Sequence, residues 1–239
     1  MGKYGVGYFV LALAAILYGA AVFTLREKGY QGIVLGMLWL FFLTAFYLFA
    51  GSTKTVLVFQ FLLIGAMVLC VSALKGWFGV SKGKGLLAIL GGFLTVMTVP
   101  LITILNGLRS YQLARLQAWF QGKDHSDIYS NIKHEVRNAG LFIGTGNMQG
   151  VGGNENEFFL TNFISRYGVI AAIFIIAILF LLILVLCFGI KRQQNRLGVL
   201  MGTAASLSLA LPIVGHILYN LGLIPTGTLV LPFFSGTGS

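Results

Sequence analysis

Long apolar runs recur along this chain, and they constrain its fold more than any other feature. A helix of about 20 such residues, rising about 1.5 Å per residue, crosses a hydrocarbon core about 30 Å thick. Only 9% of the residues are charged and 57% are hydrophobic, whereas about a quarter are charged in soluble domains. We therefore expect an all-α, polytopic transmembrane helix bundle with about six spanning helices. The predicted spans are 6–25, 32–50, 56–74, 86–105, 158–190 and 197–221.

The positive charge of the chain is explained by topology. A net charge of +10 is compatible with a nucleic-acid partner, but the basic residues are spread over helix ends rather than gathered into one stripe, so no such partner is expected. Alternate short loops carry Lys and Arg, which places them on the cytoplasmic side. The N-terminus and the long polar segment 106–157 are then outside. The basic loop residues are Arg26, Lys28, Lys75, Lys82, Lys84, Lys191, Arg192 and Arg196.

Polarity divides the chain into three parts. Residues 1–107 hold four N-terminal transmembrane helices, 108–157 form an extracellular loop with an amphipathic helix, and 158–239 hold two transmembrane helices and a Pro/Gly-rich C-terminal segment.

An outside N-terminus without a cleavable signal is unusual, and the chain stops where another helix would begin. We expect a chain cut at both ends, with a natively short protein as the alternative. Cys70 and Cys187 lie in predicted spans and are expected to be inert thiols, and no metal-binding motif occurs.

The polar loop is where chemistry is expected, because it holds or adjoins every acidic residue except Glu27. A catalytic carboxylate needs water, a substrate and tuned neighbours. Glu157 directly precedes the apolar run at 158, so it should sit at the interface near a helix N-terminus, whose dipole favours the ionised carboxylate. The alternative is that loops in water are simply polar and that Glu157 only complements the dipole. Composition alone favours that alternative.

Other features of the second half of the chain also admit two interpretations. Apolar residues at helical spacing within 108–120 predict an amphipathic helix in the headgroup plane. Its Arg109 and Arg115 either hold a lipid-linked pyrophosphate or anchor the helix to ordinary lipid phosphates. Arg166 would lie about two turns inside the fifth span, where a charge must snorkel, pair or line a cavity. His216, in the last span, is interpreted as a packing residue with one hydrogen bond, in preference to a cavity-lining group.

The order of several short motifs resembles the SEDS family of cell-wall proteins, which includes FtsW, RodA and SpoVE. The motifs of the loop and the fifth span are Tyr111-Gln112, Arg115, Gly140-Leu141-Phe142, Gly144, Gly146-Asn147, Glu157-Phe158 and Tyr167-Gly168. The tail adds Gly222-Leu223-Ile224-Pro225-Thr226, Leu231-Pro232-Phe233, Ser235 and Gly238-Ser239. Their shared order over about the second half of the chain is more specific than any one motif.

The resemblance implies a function in bacterial cell-wall synthesis, whether in cell division, cell shape or sporulation. Family members polymerise lipid II, the lipid-linked precursor of peptidoglycan, on the outer face of the cytoplasmic membrane. It implies Glu157 as the catalytic base in place of the family's Asp, lipid II and membrane lipid as ligands, and a class B penicillin-binding protein as partner. No cofactor is indicated, although a divalent cation is a candidate for neutralising pyrophosphate. The implied substrate-binding residues are Arg109, Gln112, Arg115, Asn147, Glu155, Arg166, Thr226 and Ser235.

Departures from the family pattern leave two other functions open. Glu157 replaces an Asp, Ser165-Arg166 stand where the family has paired acids, and Gly227 replaces a Lys. A noncatalytic scaffold that binds a penicillin-binding protein is therefore the first alternative to a peptidoglycan glycosyltransferase. The second is an unrelated membrane transporter, with Arg166 and His216 marking a pathway.

Overall fold

The protein is mainly helical in the part that the structure, a computed structural model, describes: residues 3–49, 55–107, 127–144, 158–224 and 231. No strand occurs within these ranges, which confirms the all-α expectation. A 3-10 turn, Arg26–Lys28, joins the first two helices. The α-helices are α1 Lys3–Leu25, α2 Tyr30–Phe49, α3 Thr55–Leu74, α4 Lys82–Gly107, α5 Asp127–Asn138, α6 Phe159–Tyr167, α7 Val169–Arg192 and α8 Arg196–Asn220.

The helices α1 to α4 and α8 agree within a few residues with five of the six predicted spans, and α7 covers most of the remaining one. Within the described residues, four segments are long and apolar enough to cross a membrane: Phe9–Lys28, Leu57–Leu74, Val169–Arg192 and Arg196–Asn220. These segments leave large apolar side chains exposed, such as Leu17, Met67 and Phe174. Such surfaces require lipid as the solvent, so the chain is an integral membrane protein.

The predicted fifth span, 158–190, is wrong in one respect, because it is two helices. The chain breaks at Gly168, whose φ of 85° is a backbone conformation that L side chains rarely adopt. Its N–H donates to the carbonyl of Ile164 and closes α6. The 24 residues of α7 are enough by themselves to span a bilayer. Phe159–Tyr167 is therefore a separate short helix, and Arg166 lies in its last turn rather than two turns inside a continuous span.

One compact unit comprises Gly5–Gly107 and Val185–Leu209. In it α2, α3 and α4 pack against one another, and large side chains fit against glycines: a Cβ at Gly65 would overlap Leu40, and one at Gly36 would meet Leu69. Small residues of this kind let membrane helices approach closely. The buried Tyr18 hydroxyl donates to the Gly36 carbonyl at 2.9 Å and ties α1 to α2.

The second unit comprises Met1–Tyr4, Leu108–Leu184 and Ala210–Ser239. Its described part contains α5, α6, the first part of α7 and the last part of α8. Leu160, Ile164 and Ala172 form one buried cluster. Another joins α7 to α8 through Leu179 and Ile213, with Leu231 from the tail. This unit holds the polar side chains described next.

Candidate functional site

The last residues of α8 meet the start of α6 in an aromatic and apolar cluster. Phe158, the residue before α6, is buried with Ile132 of α5 and Tyr219 of α8. The rings of Phe158 and Tyr219 lie 5.6 Å apart and are tilted by 32°, a favourable aromatic geometry. Three helices are thus fixed at the residue that directly follows Glu157 in the chain.

A buried polar network lies beside this cluster. The side-chain oxygen of Asn220 accepts from the backbone N–H of Thr161 at 3.0 Å and from its hydroxyl at 2.9 Å, and the same hydroxyl lies 3.0 Å from the Asn220 carbonyl. The amide nitrogen of Asn220 is 3.2 Å from His216 Nε2 and donates to the His216 carbonyl at 3.0 Å. Thr161, His216 and Asn220 are all fully buried. The network satisfies polar groups that burial would otherwise penalise.

The geometry fixes which atoms donate. Because a backbone N–H can only donate, the atom of Asn220 that faces Thr161 is its oxygen, and its NH₂ group must face His216. His216 Nε2 then lies 3.2 Å from this NH₂ group and is placed to accept from it. The interpretation of His216 as a packing residue agrees with its burial.

Glu135 and Ser165 form a second polar contact, between α5 and α6. The Ser165 hydroxyl donates to Glu135 Oε2 at 3.2 Å. Ser165 is fully buried and Glu135 is 7% exposed. A carboxylate held this far from water needs hydrogen-bond partners, so Glu135 links the two helices. Its carboxyl group also lies within the polar segment 106–157, where the sequence predicts any chemistry to take place.

Residues 140–144, which begin and end with a glycine, pack on the turn between α6 and α7. The backbone N–H groups of Val169 and Ile170 donate to the carbonyls of Gly140 and Leu141, each at 3.1 Å. A Cβ at Gly168 would come within 2.9 Å of the Leu141 carbonyl oxygen, and one at Gly144 would overlap the backbone at Ser165. The glycines thus allow the backbones of two segments of the chain to approach closely.

Arg166 is the one predicted substrate-binding residue that falls in the described part of the chain. Its side chain is exposed in the last turn of α6, and the structure records no ion pair for it among the described residues. A guanidinium in this state is available to an anionic group. The other predicted site residues lie outside the described residues: Glu157, Arg109, Gln112, Arg115, Asn147, Glu155, Thr226 and Ser235. The amphipathic helix expected within 108–120 lies outside them too.

The comparison with curated proteins gives a distant match. Over 177 residues the chain is 29% identical to the probable peptidoglycan glycosyltransferase FtsW of Hydrogenovibrio crunogenus. The match covers 65% of this chain and 44% of that protein, so the chain spans less than half of that relative's length. No family model matches the chain, and no solved structure does. The match supports a distant relationship to FtsW, in agreement with the family resemblance of the motifs.

Sequence reasoning missed three residues of the polar contacts: Glu135 as a buried acid, Thr161 and Asn220. The helix that carries Glu135 has a signal, since Ile128, Ile132 and Val136 recur every four residues, which is typical of a helix with one apolar face. The pairing of Thr161 with Asn220 has none, because 59 residues separate them. Across the described ranges, no group of three His, Cys, Asp or Glu side chains is placed to hold a metal ion.

Proposed function

We propose that this protein is an FtsW-like peptidoglycan glycosyltransferase of the bacterial cytoplasmic membrane, which polymerises or handles lipid II. The observation that carries the proposal is the match of 177 residues to a protein named as a probable enzyme of this kind. The multi-pass helical architecture supports it, because a lipid-linked substrate must be presented from the bilayer. The proposed orientation, with segment 106–157 outside, rests on the distribution of Lys and Arg.

The proposed reaction transfers a glycan between two lipid-linked sugars. The acceptor hydroxyl oxygen attacks the anomeric carbon of the growing glycan, a new glycosidic bond forms, and the bond to the lipid pyrophosphate breaks. Glu157 takes the proton of the attacking hydroxyl as general base. Arg109 and Arg115 neutralise the charge on the departing pyrophosphate, and the exposed Arg166 is a third cation for the same group.

The remaining assigned residues are proposed to bind the rest of the substrate. A lipid II headgroup offers hydroxyls, amides and carboxylates, which pair with polar side chains and with backbone at glycines. We assign this role to Gln112, Asn147, Glu155, Thr226 and Ser235.

The test is lipid II polymerisation by the purified full chain in detergent. Replacing Glu157 by Gln should lower the rate by about 100-fold or more, because a general base contributes about 10²–10⁴, while Glu157→Asp should retain more activity. Glu27→Gln is the matched control, since Glu27 is exposed on the turn between α1 and α2 and pairs with Arg26. Unchanged polymerisation by Glu157→Gln would remove this carboxylate from the mechanism.

A noncatalytic scaffold is the second candidate, and one contact favours it. Where the family has paired acids this chain has Ser165 and Arg166, and the Ser165 hydroxyl is engaged by Glu135 inside the fold. Lipid II binding without turnover, together with copurification of a class B penicillin-binding protein, would establish this role. If lipid II is polymerised and a penicillin-binding protein copurifies, that protein is instead the partner of an active enzyme.

A further inference from the structure

Three consecutive large apolar side chains project from the surface between α5 and α6. Leu141 is 65% exposed, Phe142 is 78% exposed and Ile143 is 80% exposed. We call these three residues the apolar tip. Single exposed apolar residues are ordinary, but a contiguous group of this size marks a contact with an apolar partner.

The backbone of the tip is bonded to the first turn of a spanning helix. Val169 and Ile170, the first two residues of α7, donate their N–H groups to the carbonyls of Gly140 and Leu141. The tip is therefore level with the start of a helix whose 24 residues are long and apolar enough to cross a membrane. That level is the boundary between headgroups and acyl chains.

The tip is also held in place. Gly144, directly after it, lies so close to the backbone at Ser165 that a Cβ there would overlap it, and Gly168 lies against the Gly140 and Leu141 carbonyls. Backbone packed on backbone at both ends prevents the tip from folding back to hide its side chains. Their exposure is consequently a built feature of the second unit.

The neighbouring surface has the chemistry of a lipid interface. Next to the tip, Arg166 and Tyr167 are exposed at the end of α6, and these are side chains that favour the headgroup level. Beyond the break, Ile173 and Phe174 are exposed on α7. Only 11% of the α7 segment is buried inside the protein, so the apolar tip continues a surface that already faces lipid.

We propose that the apolar tip inserts Leu141, Phe142 and Ile143 among the acyl chains of the leaflet in which α7 begins, with Tyr167 and Arg166 at its headgroups. The occupant of this surface is membrane lipid. The inference does not depend on the proposed function, because it uses only the tip and the spanning helix.

The test is the depth of spin labels in the full-length protein, reconstituted in nanodiscs of phosphatidylethanolamine and phosphatidylglycerol. Labels are attached to Phe142→Cys or Ile143→Cys after both native cysteines are replaced by Ala. Because both side chains are mostly exposed, their replacement removes little packing. Collision with oxygen, which concentrates in the bilayer, is compared with collision with a water-soluble nickel chelate. A label at Phe174 is the lipid reference, and one at the exposed Arg137 of α5 is the water reference.

Labels at the tip should resemble the Phe174 reference, with oxygen collisions exceeding nickel collisions several-fold. A ratio equal to that of the Arg137 reference would place the tip in water and overturn the proposal. Protection from both reagents would overturn it as well, because the tip would then be covered by protein rather than lipid.

Discussion

The buried contact between Asn220 and His216 has an exposed counterpart in the same unit. Asn138 and His134 of α5 are also an Asn and a His four residues apart on one helix, with the amide nitrogen 3.0 Å from Nε2, but both are exposed to solvent. The two pairs differ in burial and in the additional contacts of Asn220 with Thr161. Replacing each Asn by Ala therefore measures what burial, together with the contacts that Asn220 makes inside the fold, adds to such a pair.

The expected loss in the free energy of unfolding follows from the hydrogen bonds that each substitution removes. Asn220→Ala removes the acceptor of the Thr161 N–H and the donor to His216 Nε2, while the Thr161 hydroxyl keeps the residue 220 carbonyl at 3.0 Å. A buried polar group that loses its partner costs about 1–3 kcal/mol, and the Thr161 N–H is such a group, so the substitution predicts a loss of about 1–3 kcal/mol. Hydrogen bonds between membrane helices average only about 0.6 kcal/mol, which favours the lower end. Asn138→Ala should cost less than about 0.5 kcal/mol, because water replaces the lost contact.

The assay is reversible unfolding by sodium dodecyl sulfate in mixed micelles. A reporter tryptophan at Phe163, which packs between Phe159 and Tyr167 on α6, follows the unit that contains both pairs once the native Trp39, Trp77 and Trp119 are replaced by Phe. Both substitutions are compared in this reporter background. Equal losses for Asn138→Ala and Asn220→Ala would refute the reasoning, because burial would then add nothing to the contact.

Two further predictions use the same assay. Gly168→Ala should lower the free energy of unfolding by about 1–3 kcal/mol, because its φ of 85° disfavours L side chains and a Cβ would press on the Leu141 carbonyl. Glu135→Gln keeps an oxygen that accepts from the Ser165 hydroxyl and should cost less than about 1 kcal/mol. Glu135→Leu removes this acceptor and should cost about 1–3 kcal/mol. A Gln variant as unstable as the Leu variant would contradict the hydrogen-bond account.

The spanning helices were predictable because the requirement for apolar length is local. The break at Gly168 was not, because apolar composition continues through it and hydropathy does not register a backbone turn. The length of the predicted span 158–190 did indicate an interruption, because it is well beyond the about 20 residues that a bilayer needs. The Tyr167-Gly168 pair marks the position where α6 ends and the membrane-spanning α7 begins. A glycine directly after a helix is a common way of ending it.

The candidate site was less predictable than the fold, for a different physical reason. Glu135 was identified as one of the loop acids, but its contact with Ser165 joins residues 30 apart in the chain. Thr161 and Asn220 are farther apart still, and neither periodicity nor composition carries information on such pairs. Arg166 shows how one wrong boundary changes an inference. Placed inside a continuous span it required a partner, whereas at the exposed end of α6 it requires none.

The described contacts also determine how a loss of activity should be interpreted. Gly144 and Phe158 lie on either side of segment 145–157, which contains Glu157, and both are fixed by packing, Gly144 on the backbone at Ser165 and Phe158 against Tyr219. A substitution that loosens α6 would disturb both attachments at once, so its effect on lipid II polymerisation would not identify a chemical role. Glu157→Gln replaces none of the residues that form these two attachments. Activity lost in that variant at unchanged stability is therefore the result that separates chemistry at Glu157 from the packing that surrounds it.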